Sequence, residues 1–167
     1  PILLQVRTPI GPAESAESLA ARLARLGADL LTDALERIAA GKADFTPQDE
    51  ARATYCTLLT KEDGYLDWTR PAAALHNQVR GCQPWPAAQC RLHGKVFKMH
   101  ETAVVDSPAG LPPGTVAVVD KERLHVAAGA GMLSILTIQA PGKRAMPIAE
   151  FLRGHPIAPG ERFEPME

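Results

Sequence analysis

Apolar positions change their spacing three times along the chain, and each change marks a structural zone. In the first zone Leu19, Leu23, Leu26 and Leu30 step by four, three and four residues, and Leu31, Leu35 and Ile38 extend the stripe. That period predicts one long amphipathic helix. Ser15 is the expected N-cap, Glu14 and Glu17 suit the positive end of the helix dipole, and Gly41 is the expected C-terminal stop. Before the helix, Ile2, Leu3, Leu4 and Val6 read as a short buried strand. One strand and one helix cannot bury their own apolar faces, so residues 1–40 are expected to dock against something else. The stripe from Leu19 to Ile38 is also a candidate surface for self-association.

From Gly41 to Asp67 periodicity is lost, and Pro47, Gln48-Asp49-Glu50 and Asp63-Gly64 predict an extended linker. Its apolar residues Phe45, Tyr55, Leu58 and Leu59 suggest that it lies along a surface. The third zone, residues 68–167, opens with a short helix whose inner face is Ala72, Leu75 and Val79. Thr69 is the expected cap, Pro71 falls in the first turn, and Gly81 and Pro84 end it. Beyond it the spacing drops to two. Leu92-His93-Gly94-Lys95 predicts a tight hairpin turn with glycine at a position of positive φ. Phe97, Met99, Ala103 and Val105 then alternate with Lys98, His100 and Thr102, giving an apolar and a polar face. A Pro/Gly-rich loop, Ser107 to Gly114, leads to strands at 116–119, 124–126 and 132–138. Five short antiparallel strands with short flanking helices predict a mainly β fold, a five-stranded OB-like barrel. An SH3-like barrel or an open sandwich is the alternative. The strand and helix at residues 1–40 would be the remnant of another domain.

Composition alters this picture little: 46% apolar, 22% charged and a net charge of −1 describe an ordinary globular chain. No apolar run reaches the roughly 18 residues that a membrane span needs. The opening PILLQVRTPIGP has neither an initiator methionine nor a basic n-region. It is expected to begin inside a longer protein. Cys56, Cys82 and Cys90 form no CxxC pair and are expected as reduced core residues of a cytoplasmic protein, with no metal site.

Charge distribution matters more than net charge. Residues 1–63 hold seven Lys/Arg against ten Asp/Glu, whereas residues 64–167 hold eleven against nine. From Trp68 to His100 there are five cations (Arg70, Arg80, Arg91, Lys95, Lys98), three histidines and no acid. Such a run can build a basic face for a phosphate backbone, which Lys143 and Arg144 would extend. The other reading is an ordinary solvated surface whose acids come from neighbours in space. With aromatics at 5%, shape and backbone recognition of RNA is expected rather than serial base stacking. No phosphate-cradling glycine loop, GxSxG or HExxH is present, so the chain by itself does not read as an enzyme.

Two aromatic sites are expected as structural anchors. Asp67-Trp68 should cap and fix the entry to the short helix. In Pro84-Trp85-Pro86 the prolines stiffen the exit, so Trp85 is expected to plug the junction of helix and sheet rather than serve as a stacking platform.

Taken in order, YCTLLTKEDGYLDWTRPAAALHNQVRGCQPWPAA resembles the linker and C-terminal domain junction of methionyl-tRNA formyltransferases. TPIGPAESAESLAARLARLGADLL upstream agrees with it, as do PGTVAVVDKERLHVAAGAGMLSILTIQAPGKRAM and FLRG downstream. The resemblance implies an enzyme of translation initiation that moves a formyl group from the co-substrate 10-formyltetrahydrofolate to the methionyl initiator tRNA. It implies that residues 1–40 end the catalytic domain, that 41–67 link it onward, and that 68–167 form an OB-like tRNA-binding domain. The catalytic asparagine, histidine and aspartate would then lie upstream of Pro1, leaving the fragment inactive, with no catalytic residue and no cofactor of its own. Lys61, Arg80, Arg91, Lys95, Lys98, Lys143 and Arg144 become the candidate RNA contacts. Two departures stand out: Leu58 replaces a usual lysine while Lys61 is retained, and Ala87 replaces a usual glycine, which negative φ would permit. The alternative implied by the same architecture is the structural C-terminal barrel of a sugar-amine formyltransferase, without RNA contact.

Overall fold

The computed structural model describes residues 1–107 and 110–166, so Pro108 and Ala109 of the proline- and glycine-rich loop lie outside the described residues. The chain divides into two compact units, Pro1–Leu58 and Leu59–Glu167.

The first unit is built on α1 (Ala16–Ala39). Ser15 caps it as expected: its hydroxyl accepts from the Ser18 N–H, and Ser18 Oγ accepts from the Ser15 N–H. At the other end Gly41, at φ +67°, and Lys42 donate back to the carbonyls of Ile38 and Arg37. This is the left-handed exit that glycine favours. Arg22 ties the helix to the preceding segment by a two-pronged bond to Glu14 (2.8 Å each), another to the Pro9 carbonyl (2.8 Å) and one to Thr8 Oγ1. The expected strand at Ile2–Val6 does not form. Ile2 makes an isolated two-bond bridge with Thr46, and a ladder would need a second extended segment beside it. No residue of α1 is buried, and Leu23, Leu31, Leu35 and Ile38 of its stripe are exposed.

The second unit is mainly β. Its elements are α2 (Ala72–Gly81), β1 (Ala88–Leu92), β2 (Lys95–Val105), β3 (Val116–Val119), β4 (Leu124–Ala127), β5 (Met132–Gln139), β6 (Ala145–Pro147) and α3 (Ile148–Gly154). All pairs are antiparallel, in the order β1-β2-β5-β4-β3, with β6 on the far end of β5. The OB-like arrangement with flanking helices is therefore present, with six strands instead of five. The strand ladder does not close between β1 and β3, the closure expected from sequence. Residues 160–164 lie between those edges instead. Arg91 and Glu164 exchange two backbone bonds, while Gly160, Glu161 and Phe163 bond to Val116 and Gly114. Phe163 sits in the core against Trp68, with ring centroids 5.8 Å apart.

Several local expectations are corrected. Thr69 does not cap α2. Its N–H and hydroxyl both bind Asp67 Oδ1, at 3.0 and 2.7 Å, and these two bonds, the hydroxyl's foremost, hold the Asp67 carboxyl below its usual range. Pro71 is the cap residue, and the first free N–H, that of Ala72, donates to the Ala130 carbonyl in the β4–β5 turn. In β2 a register shift around Glu101 changes the phase of alternation. Thr102 becomes buried, bonded to His76 at 3.0 Å, and Val104 turns outward. Of the cysteines, Cys82 and Cys90 are buried but Cys56 is exposed.

Trp68 is the buried anchor, at 3% exposure, whereas Trp85 is 57% exposed and does not plug the helix–sheet junction. The buried member of that motif is Pro86, and Pro84 is exposed. What crosses the junction is Gln83, whose amide donates to the Met99 and His100 carbonyls at 3.3 and 3.5 Å. Both X–Pro bonds of the motif are cis. Ala87 has φ +62°, not the negative φ that would make its methyl innocuous. Ala87→Gly relieves about 1–2 kcal/mol of left-handed strain. It also loses about 0.8 kcal/mol of methyl burial and about 0.4–1 kcal/mol through a freer unfolded chain. The denaturation midpoint should hardly move, which a urea titration checks.

Candidate nucleic-acid interface

Strand alternation sorts the basic residues of the hairpin. Ala88, Cys90, Leu92, Phe97 and Met99 are buried. The residues between them, including Arg91 and Lys98, therefore point to the other face. Lys98 stands opposite Gln89 on β1 and Gln139 on β5. Gln139 fixes this part of the surface: its Oε1 lies 2.9 Å from His100 Nε2, and its Nε2 donates to the Lys143 carbonyl at 2.7 Å. Because that amide is donating elsewhere, His100 Nε2 carries the proton in the first bond.

The hairpin turn places His93 and Gly94 at φ +51° and +70°, a primed turn that brings Lys95 directly back alongside β1. Facing it, the β5–β6 turn carries Lys143. Lys95 and Lys143 line one groove with His93 and His155 over an apolar floor that includes Phe97 and Phe151. Both lysines are exposed, and among the described residues neither has an ion-pair partner. His93 Nε2 lies 3.1 Å from Glu161 Oε2.

The remaining candidates are dispersed. Arg91 is half-buried in β1, where its backbone holds Glu164. Arg80, at the end of α2, donates from Nε to Asn77 Oδ1 at 2.8 Å. Lys61 is exposed, just before the 3-10 turn Glu62–Gly64. Arg144 lies 3.5 Å from Glu150 of α3, which reduces its free charge. The structure thus brings Lys95 and Lys143 to one groove, whereas Lys98 and Arg91 lie on the opposite face of the hairpin and Lys61, Arg80 and Arg144 do not line the groove. His155 and Gln139 are contributors that sequence reasoning missed. The His-Pro step after FLRG was the available signal for His155, since it ends a helix and leaves a ring at its rim.

Among the described residues no three His, Cys, Asp or Glu side chains are placed to hold a metal ion, and no helix is long and apolar enough to cross a membrane.

Residues 58–156 match the family described as formyl transferase, C-terminal domain. Over 167 residues the chain is 40% identical to the methionyl-tRNA formyltransferase of Trichlorobacter lovleyi, covering 100% of this chain and 52% of that protein. With the methionyl-tRNA formyltransferase of Solibacter usitatus, identity is 42% over 162 residues, 97% of this chain and 51% of the relative. The chain therefore spans about half the length of the curated relatives it matches. Among solved structures a variant of HypX from Aquifex aeolicus aligns with a TM-score of 0.62 at 21% identity, covering 96% of this chain and 31% of that one. That likeness concerns the fold.

Proposed function

Since the chain belongs to the formyl transferase C-terminal domain family, we propose that it holds the tRNA substrate of a methionyl-tRNA formyltransferase by its phosphate backbone. The observation that carries this reading is the convergence of Lys95 and Lys143 on one groove, with no acidic partner for either among the described residues. Ammonium groups left unpaired at close range raise the local potential and release counterions when phosphates replace them. In this reading residues 68–167 bind and orient the initiator tRNA, residues 41–67 connect, and residues 1–40 complete a catalytic domain. Transfer of the formyl group from 10-formyltetrahydrofolate is then the work of the part of the relatives' length that this chain does not cover. Binding energy spent on the backbone positions the methionyl amine for that step.

The test is a salt titration of initiator tRNA binding. The two phosphate contacts of Lys95 and Lys143 should give a slope of log K against log salt of roughly −1.5 to −2 or steeper. Lys95→Glu with Lys143→Glu should flatten the slope by about two contacts and weaken binding at low salt at least tenfold. Affinity that is absent, or indifferent to salt and to the double variant, would favour a purely structural barrel.

A further inference from the structure

The same groove offers more than charge. It has a volume of about 470 Å³, inside the range of about 300–1,000 Å³ that suits small-molecule sites. Its floor is apolar, and one of its walls is an imidazole. His155 lies parallel to the Phe151 ring, with centroids 4.3 Å apart and planes 5° from coplanar. Its Nδ1 is 3.2 Å from the Phe151 carbonyl, which can only accept, so Nδ1–H donates and the ring is clamped. One face of this imidazole is spent on Phe151, yet the residue is exposed. The second face is a small, rigid stacking surface beside two free ammonium groups.

Resting on the RNA-binding reading, we propose that this groove seats one unstacked nucleotide of the RNA, with its phosphate on Lys95 and Lys143 and its base against His155. Charge complementarity selects the phosphate end. Lys95 and Lys143 line the groove and no Asp or Glu is among its described lining residues, so an anion is drawn toward the two lysines. The apolar floor under His155 suits the π-face of a base. A single ring limits the groove to a single base, in keeping with a chain only 5% aromatic. A tract of bases needs successive platforms, which this surface does not provide.

The full 167-residue chain is titrated with adenosine monophosphate, ribose 5-phosphate and inorganic phosphate, following backbone amide resonances by NMR. The nucleotide should shift Lys95, Lys143 and His155 and bind several-fold to about a hundredfold more tightly than ribose 5-phosphate. His155→Ala should erase that difference while leaving ribose 5-phosphate binding as it was. Lys95→Gln with Lys143→Gln should weaken all three ligands. Equal affinities for nucleotide and sugar phosphate, shifts elsewhere on the surface, or an indifferent His155→Ala would each overturn the proposal. A salt-dependent tRNA complex that ignores His155→Ala sinks the nucleotide seat and leaves the tRNA reading standing. A nucleotide seated in the groove of a chain that fails to bind tRNA does the reverse.

Discussion

Phe163→Ala is expected to destabilise the second unit by about 3–5 kcal/mol. The ring is 1% exposed and stands against Trp68, so truncation opens a cavity and also forfeits an aromatic pair worth about 0.5–1.5 kcal/mol. For a unit of this size the thermal midpoint should fall by roughly 15–25 °C. Glu164→Ala is the comparison, because Glu164 is exposed and holds Arg91 through its backbone. It should stay within about 0.5 kcal/mol of the parent. Denaturation followed by the near-ultraviolet signal of Trp68 separates the two. Equal midpoints would mean that residues 160–164 merely lie on the sheet. Cutting the chain before Gly160 should be worse than Phe163→Ala, since it also strips backbone partners from β1 and β3 and leaves sticky edges.

Gly129→Ala is the second large effect. A methyl there would fall 1.8 Å from the Thr69 carbonyl oxygen and 2.7 Å from its carbon. Those are backbone atoms, which cannot swing aside as a side chain would. The Gly129 N–H donates to the Arg70 carbonyl at 3.0 Å, and the next residue, Ala130, accepts from Ala72 at 2.9 Å. Forcing the turn away breaks both bonds, and Ala72, whose N–H loses its partner, is buried, which costs about 1–3 kcal/mol. A loss of at least about 3 kcal/mol is expected. Gly142→Ala is the control: φ is +68° there, but open space surrounds the site, so only about 1–2 kcal/mol of left-handed strain applies. Similar losses for the two variants would show that the contact at Gly129 relaxes cheaply.

What could be read from the chain beforehand divides along local and distant causes. The helix of the first unit was legible because its stripe, cap and glycine exit all act within a few residues. So was the Leu92–Lys95 turn, where a glycine meets a two-residue reversal. The phase change in β2 was hidden because Glu101 looks like any polar residue between apolar ones, and only the partner strand reveals the bulge. Phe163 is the one aromatic residue of GERFEPME, too little to announce a segment whose partners stand far back at Arg91 and Gly114. Trp85 misled for a related reason: stiff flanking prolines limit how a ring moves, but not whether anything packs over it. At the site, the acid-free run included Lys95 but could not show that strand alternation turns Lys98 to the other face. It could not show that Arg144 faces Glu150, nor that a histidine from the end of α3 would complete the groove.

The place of residues 160–164 also sets an order of events during synthesis. A ribosome that has made β1 through β6 has delivered every strand of the sheet, yet the β1 and β3 edges still lack their shared neighbour. At about 5–20 residues per second, the interval until Phe163 emerges lasts seconds. For that time the nascent unit carries two open edges and an unfilled place beside Trp68. Translation that stalls or stops before Phe163 should therefore release a product suited to capture by chaperones or proteases rather than a smaller version of the same fold.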